Sequence, residues 1–217
     1  MVMRPPSSTS DRLEMFSDGV IAIAITLLVF QIPVPAEKQG DLLAALLDQW
    51  PSYVAFVISF VVIGIMWVSH HSMFEKIARV DRGLLFINLL LLLGIAFLPF
   101  PTDLMSTYVR DGGANSHVAA AIYSATMVGI GIAFTLMWWH LANRPWLLVE
   151  GATGEQSRVA AKRSLVGPIV YGFTIALAFV SAVACFVVYA LIALYFAAGP
   201  SSRVVTPVDP SELDQGA

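Results

Sequence analysis

Charge is what this chain has least of. Only 12% of its 217 residues are Asp, Glu, Lys or Arg, while 58% are hydrophobic, and the mean hydropathy is +0.77. A soluble domain carries roughly twice that charge density. Too few charges remain to cover a water-soluble globule, so most of the chain must face lipid or other helices. Cysteine is nearly absent. Cys185 stands alone in an apolar stretch, which excludes an internal disulfide and reads as a small core residue. No basic run resembles a nucleic-acid footprint, and no nucleic-acid partner is expected. No P-loop, dinucleotide fingerprint or His/Cys metal spacing occurs, so neither an enzyme nor a cofactor or metal site is indicated. The Thr-Val-Gly-Tyr-Gly carbonyl filter of common potassium channels is missing too. No internal repeat of the kind many transporters show is visible, which favours a pore built by oligomerisation. The N-terminal residues are polar and Pro/Ser-rich, and no small-residue cleavage site follows the first apolar run, which therefore reads as a retained helix.

Long uncharged runs are what the chain does have. They cover residues 19–36, 49–74, 83–102, 112–143 and 164–202. A spanning helix needs about 20 apolar residues. The last window would make one helix of roughly 58 Å, about twice the hydrocarbon core, so it should fold back near residues 181–185. The expected fold is an all-α integral membrane protein with six transmembrane helices, at about 16–33, 50–74, 84–104, 117–141, 164–181 and 184–199. Residues 1–11 form a cytoplasmic N-terminus, 12–200 the membrane domain, and 201–217 a disordered cytoplasmic tail.

With the N-terminus inside, the inner segments hold Arg4, Arg12, Lys76, Arg79, Arg82, Arg144, Arg158, Lys162, Arg163 and Arg203. Only Lys38 and Arg110 of the twelve Lys and Arg remain outside. This asymmetry puts both termini in the cytoplasm. Residues 33–49 read as an outer loop with room for a short helix, and residues 144–163 as a longer inner loop. Pro99 and Pro101 are expected to end the third span. Gly129, Gly131 and Ala133 would allow close helix packing. His117 and His140 read as interfacial, and Trp50, Trp138, Trp139 and Trp146 suit the aromatic belt.

The first span separates two sets of residues. On the 3.6-residue wheel of an α-helix, Thr26, Leu27 and Phe30 all fall on the same side as Ile23. These four share an apolar face with a single hydroxyl, which on physics alone could meet lipid or a pore. Asp18 and Ser17 lie off that face, one to either side of the opposite pole. Asp18 is either a helix-terminal acid favoured by the dipole or one with a buried partner. His70 and His71 are adjacent, so they do not share a helical face and make a poor metal pair. With six spans, Asp18, His70 or His71, and Asn88 would meet at one depth.

The run Arg12-x-x-x-Phe16-Ser17-Asp18-Gly19, followed by Ala22-Ile23-Ala24-Ile25-Thr26-Leu27-Leu28-Val29, resembles the first-span signature of the lysosomal potassium channel family known as transmembrane protein 175. Residues 67–71, and Asn88-Leu89-Leu90-Leu91-Leu92 leading to Leu98-Pro99-Phe100-Pro101-Thr102, look similar to that family as well. The resemblance covers roughly residues 12–105. It implies a bacterial member that is a homotetramer in the cell membrane and conducts potassium ions passively. Four copies of the first helix would line the pore. Ile23, Leu27 and Phe30 would form hydrophobic rings, and Thr26 a hydroxyl layer. Arg12, Ser17 and Asp18 would join an inter-helix polar network with His70, His71 and Asn88. Phe30 departs from the family pattern, which is usually aliphatic there; an aromatic would narrow the outer pore or rotate away. The competing readings are a secondary transporter or proton-coupled permease using Asp18 and the histidines, and a membrane scaffold.

Overall fold

In the computed structural model the described residues are 9–35, 41–110 and 113–197. The cytoplasmic N-terminus expected at 1–11, in large part, and the tail expected to be disordered at 201–217 lie outside them. Every named element is helical: α1 (Thr9–Leu27), α2 (Leu42–Asp48), α3 (Trp50–Phe74), α4 (Arg82–Phe97), α5 (Pro99–Tyr108), α6 (Gly113–Ala142), α7 (Gly154–Ser164), α8 (Val166–Ala178) and α9 (Ala182–Ala197). Two short 3₁₀ turns, Leu28–Gln31 and Pro145–Leu147, complete the order.

Among the described residues four helical stretches are long and apolar enough to cross a membrane: Thr9–Gln31, Trp50–Phe74, Arg82–Tyr108 and Gly113–Ala142. The two helices after them are shorter, with 13 residues in α8 and 16 in α9. The turn between them occupies residues 179–181, slightly earlier than the 181–185 expected from the sequence. There the backbone N–H groups of Val180 and Ser181 both bond to the Leu177 carbonyl, and the Ser181 hydroxyl then accepts from the Ala184 N–H to start α9.

Pro99 and Pro101 do not end the third span. Leu98 keeps helical dihedrals and its N–H bonds to Ile95, three residues back, so the ladder tightens and α5 restarts with Pro99 in its first turn. A proline there loses nothing, because first-turn N–H groups have no intrahelical partner. The inner loop at 144–163 also holds more order than expected. Thr153 and Gln156 form a reciprocal capping box that starts α7, and only Leu165 separates α7 from α8.

The two ends of the bundle differ in charge. At one end the loop after α3 and the loop after α6 are stitched together. The N–H groups of Ala78 and Arg79 bond to the Leu147 carbonyl, and Ile77 bridges to Leu148. Lys76, Arg79, Arg82 and Arg144 cluster here, so this is the basic end. At the other end Arg110 pairs with Asp48 at 2.8 Å and lies over the Trp50 ring. His117 donates to the Ala178 carbonyl at 2.6 Å.

α6 is the hub. It packs against α4, α5, α7, α8 and α9, whereas α1 sits at the edge against α3, α4 and α5. Gly131 permits a close approach of α6 and α8: a Cβ there would lie 2.7 Å from Pro168 Cδ and 3.2 Å from its backbone nitrogen. Gly129 meets nothing within 4 Å. Gly131→Ala should therefore force α6 and α8 apart and cost about 1–3 kcal/mol, while Gly129→Ala should leave this contact untouched. Thermal unfolding of both variants in detergent checks the contrast; equal melting temperatures would contradict the packing.

Candidate functional site

The first helix is two-faced. Ser10, Leu13, Ser17, Ile21, Ala24 and Leu28 are buried, a three-four spacing that runs one stripe down the side packed on the rest of the chain. Opposite lie Arg12, Phe16, Gly19, Ile23, Thr26, Leu27 and Phe30, all exposed within the chain. Ile23 is 61% exposed and Ile21 only 2%, so the rotation of the helix is unambiguous. From Leu28 onward the helix tightens to 3₁₀, which advances each residue by about 20° more than an α-helix does. Phe30 thereby shifts from the expected position toward the side of Leu27, yet stays 78% exposed. The Thr26 hydroxyl lies 3.0 Å from the Ala22 carbonyl and 2.8 Å from that of Ile23. Its proton is held by the backbone, and the oxygen that faces outward can only accept.

The buried stripe is fastened by a relay. Ser17 donates to the Leu13 carbonyl at 2.9 Å, so its oxygen accepts from Asn88 Nδ2 at 2.9 Å. Asn88 Oδ1 then faces His70 Nε2 at 3.0 Å and must accept its proton. The hydrogen-bond sequence thus settles both the amide orientation and the imidazole tautomer. Ser17, Asn88 and His70 are fully buried. His70 Nδ1 has no partner among the described residues, and the ring stacks on Phe74 at 4.3 Å.

Beside the relay runs a two-rung ladder between α1 and α3. His71 Nδ1 donates to Glu14 at 2.8 Å, and Trp67 Nε1 donates to Asp18 at 3.0 Å. The sequence pattern points to Arg12 of a neighbouring helix or chain, or to His70, His71 or Asn88, as the partner of Asp18; within the chain Asp18 accepts from Trp67. Arg12 is exposed on the same face as Ile23 and forms no ion pair among the described residues. Sequence reasoning misses Glu14, and misses Trp67 as a partner. Their signal is present all the same: acids at i and i+4 on α1, and Trp67 and His71 at i and i+4 on an antiparallel neighbour.

A second polar centre caps the basic end. Asp81 is the N-cap of α4 and accepts from the Leu84 N–H at 2.8 Å. His140 Nε2 lies 2.8 Å from Asp81, Arg144 Nε lies 3.3 Å from it, and Arg144 also donates to His140 Nδ1. His140 is therefore enclosed by protein. Gly83 has no side chain because a Cβ would collide with the His140 ring. Burial alone would raise the Asp81 carboxyl; the Leu84 N–H, His140 and Arg144 outweigh it and hold the carboxyl below its ordinary value.

These features define a class: a multi-pass helical membrane protein whose first helix is pinned by a polar relay on one side and left open on the other. Residues 12–99 match the family profile described as endosomal/lysosomal potassium channel TMEM175. Potassium channel B446_29190 of Streptomyces collinus (strain DSM 40733 / Tue 365) is 49% identical over 188 residues, covering 86% of this chain and 91% of that one. Potassium channel Cha6605_3372 of Chamaesiphon minutus (strain ATCC 27169 / PCC 6605) is 41% identical over 200 residues, covering 91% and 98%. The fold also matches the crystal structure of a lysosomal potassium-selective channel TMEM175 homolog from Chamaesiphon minutus, with TM-score 0.77 and 39% identity over 87% of this chain and 96% of that one. The chain belongs to the TMEM175 potassium channel family, a family of ion channels and not of enzymes.

Asn88→Ala strands Ser17 and His70 in a buried site and should cost about 1–3 kcal/mol. Asp18→Asn should cost less, because an amide oxygen still accepts from Trp67. Unfolding of detergent-purified protein compares the two. For Asp81 the folded carboxyl is the stronger acid, so its contribution is present above the unfolded-state value of about 3.9 and is lost as pH falls through the folded value. The melting-temperature gap between wild type and Asp81→Asn should therefore shrink as pH is lowered through the carboxylate range. A gap that widens there would refute the assignment.

Proposed function

We propose that four copies of the chain surround one axis, each turning the open face of α1 toward it, and conduct potassium passively across the membrane. The carrying observation is that open face. Ile23, Thr26, Leu27 and Phe30 are exposed within the chain, and the opposite side of the same helix is locked by Ser17. Membership in the TMEM175 family, and the name potassium channel borne by two relatives that align over most of the chain, support the same reading. A single first helix cannot enclose a pore, which is the argument for assembly. Closed rotational symmetry would bring the same face of each copy to the axis.

In this reading α8 and α9 are the fifth and sixth spans. At about 1.5 Å per residue, α8 is roughly 20 Å long and α9 roughly 24 Å, short of the hydrocarbon core. Continuation of α8 into α7, with local thinning of the bilayer, accommodates the difference. The basic end faces the cytoplasm by the distribution of Lys and Arg, in the inner membrane of a bacterium. Glu14, Ser17, Asp18, His70, His71 and Asn88 hold α1 in place and do not meet the ion. Arg12 lies at the cytoplasmic end of the open face.

Four Ile23 side chains at the axis would form a ring with no hydrogen-bonding group. A permeating ion must shed water there or the ring must widen, and sodium holds its water more tightly than potassium. Leu27 adds a second ring one turn outward, and Phe30 a third. Thr26, at a level between Ile23 and Leu27, offers an acceptor oxygen to a partly stripped cation. Ile23→Asn should raise conductance and lower potassium preference, because an amide wets the ring. Thr26→Val should weaken the preference. Ile21→Val, on the buried side, should leave both unchanged. Reversal potentials in potassium/sodium mixtures with the reconstituted protein test this; equal effects at Ile21 and Ile23 would place the pore on the wrong side of α1. Native mass measurement in detergent should show four chains, and a conducting monomer would overturn the assembly. Flux that saturates and needs a coupled gradient would make the protein a transporter.

A further inference from the structure

Away from the first helix, α3, α6, α7, α8 and α9 line an open-sided cavity of about 770 Å³. That is within the range of about 300–1,000 Å³ typical of small-molecule sites. Its wall changes character along its length. On α3 the lining residues follow one helical stripe, Val62 and Met66, then Ser69 and Ser72, which the turn after the helix continues with Glu75 and Lys76. On α6 the stripe runs from Met127 through Ile130 and Phe134 to Trp138. Both helices descend toward the basic end, so the cavity is apolar at depth, hydroxylated in the middle and charged at the rim. α7 closes the rim with Arg163, and Tyr171 on α8 closes the apolar part.

Two cations of the rim have no carboxylate partner among the described residues. Lys76 lies over the Trp138 ring at 5.3 Å and pairs with no carboxylate among the described residues, nor does Arg163. Of the two rim acids, Glu155 is neutralised by Arg158 at 3.1 Å and Glu75 lies 3.9 Å from His71. The hydroxyls below are equally unspent. Ser69 and Ser72 form no side-chain hydrogen bond among the described residues, whereas Thr26, Thr102, Thr126 and Thr135 all bond back to their own helices. A serine in lipid would ordinarily do the same, since hydrocarbon supplies no partner.

We propose that this cavity is a binding site for an anionic phospholipid of the leaflet at the basic end. The phosphodiester lies between Lys76 and Arg163. Ser69 and Ser72 donate to the glycerol ester oxygens, and one acyl chain runs down between Val62, Met127 and Phe134. Trp138 sits at the depth where its indole bridges the headgroup and acyl regions. Unpaired cations over an apolar shaft favour a phosphate-bearing amphiphile over a neutral one, and a basic pocket between spanning helices is a recognised headgroup cradle. The site does not depend on where the pore runs, only on the basic end lying at a membrane surface.

Titration of the full-length detergent-purified protein with dioleoyl phosphatidylglycerol or dioleoyl phosphatidylethanolamine, read by native mass spectrometry, tests it. The expected result is one tightly held phosphatidylglycerol per chain and clearly weaker phosphatidylethanolamine. Lys76→Gln with Arg163→Gln should weaken phosphatidylglycerol about tenfold. Lys162→Gln, on α7 but outside the cavity, should not. Equal binding of the two lipids by wild type, or an unchanged affinity in the double variant, overturns the proposal. A second measurement keeps it testable if the double variant fails to fold. Ser69→Cys in a Cys185→Ala background, labelled with benzophenone maleimide and irradiated in phosphatidylglycerol vesicles, should gain the mass of one lipid. An adduct joining two chains would show that a second copy fills the cavity, and would also overturn it.

Discussion

A polar group inside a bilayer must find its partner within the protein, and that constraint orients the first helix. Ser17 meets Asn88, and Asn88 meets His70, each link pairing a donor with an acceptor, while the His70 Nδ1 lone pair finds no partner among the described residues. The relay joins α1, α3 and α4 at one depth. Once it is formed, α1 can neither slide nor rotate without stranding a buried amide. Because the helix repeats every 3.6 residues, fixing Ser17 also fixes Ile21, Ala24 and Leu28 inward and Ile23 outward. The ladder of Glu14 and Asp18 on His71 and Trp67 adds a lateral stop. The conduction reading depends on this geometry: a first helix free to turn would present a blurred face.

Much of this is legible in the chain itself. Uncharged runs locate the long helices, because spanning length is a strong constraint on composition. The wheel of α1 separates Ile23 from Ser17 correctly, since periodicity survives without knowledge of the neighbours. Less legible is anything that depends on which neighbour arrives. Asp18 carries a charge that invites a cationic partner, yet the indole of Trp67 reaches it first. Pro99 and Pro101 look like terminators, but a proline that starts a new helix and one that ends an old helix have the same local pattern. The helix at Gly154–Ser164 reads as loop in the sequence because its residues are polar. Its capping box is visible all the same, in Thr153 followed by Gln156.

The hub helix is held by different means. α6 tolerates five neighbours because small residues let backbones approach without polar glue. Gly131 receives Pro168, and Gly94 of α4 receives Ile130. Hydroxyl contacts then add direction. Ser124 meets Thr174 and Tyr189, and Ser59 meets Thr102 and Tyr123. The hub is thus held by shape, by short-range hydroxyl bonds and, at the basic end, by the Asp81–His140–Arg144 cluster, while the first helix is held by an amide, an imidazole and two carboxylates.

The back-bonded hydroxyl of Thr26 has a further implication for the sign of charge that its face can serve. Its single proton is shared between the carbonyls of Ala22 and Ile23. An approaching solute meets lone pairs and no hydrogen. Chloride, which needs a donor when stripped of water, finds none at this level, whereas a cation finds oxygen. At the level of Thr26 the face carries no formal charge, the Arg12 cation standing at its far end, and it is in this way already hostile to anions. Valence discrimination would come from the orientation of a single O–H bond, not from a ring of acids.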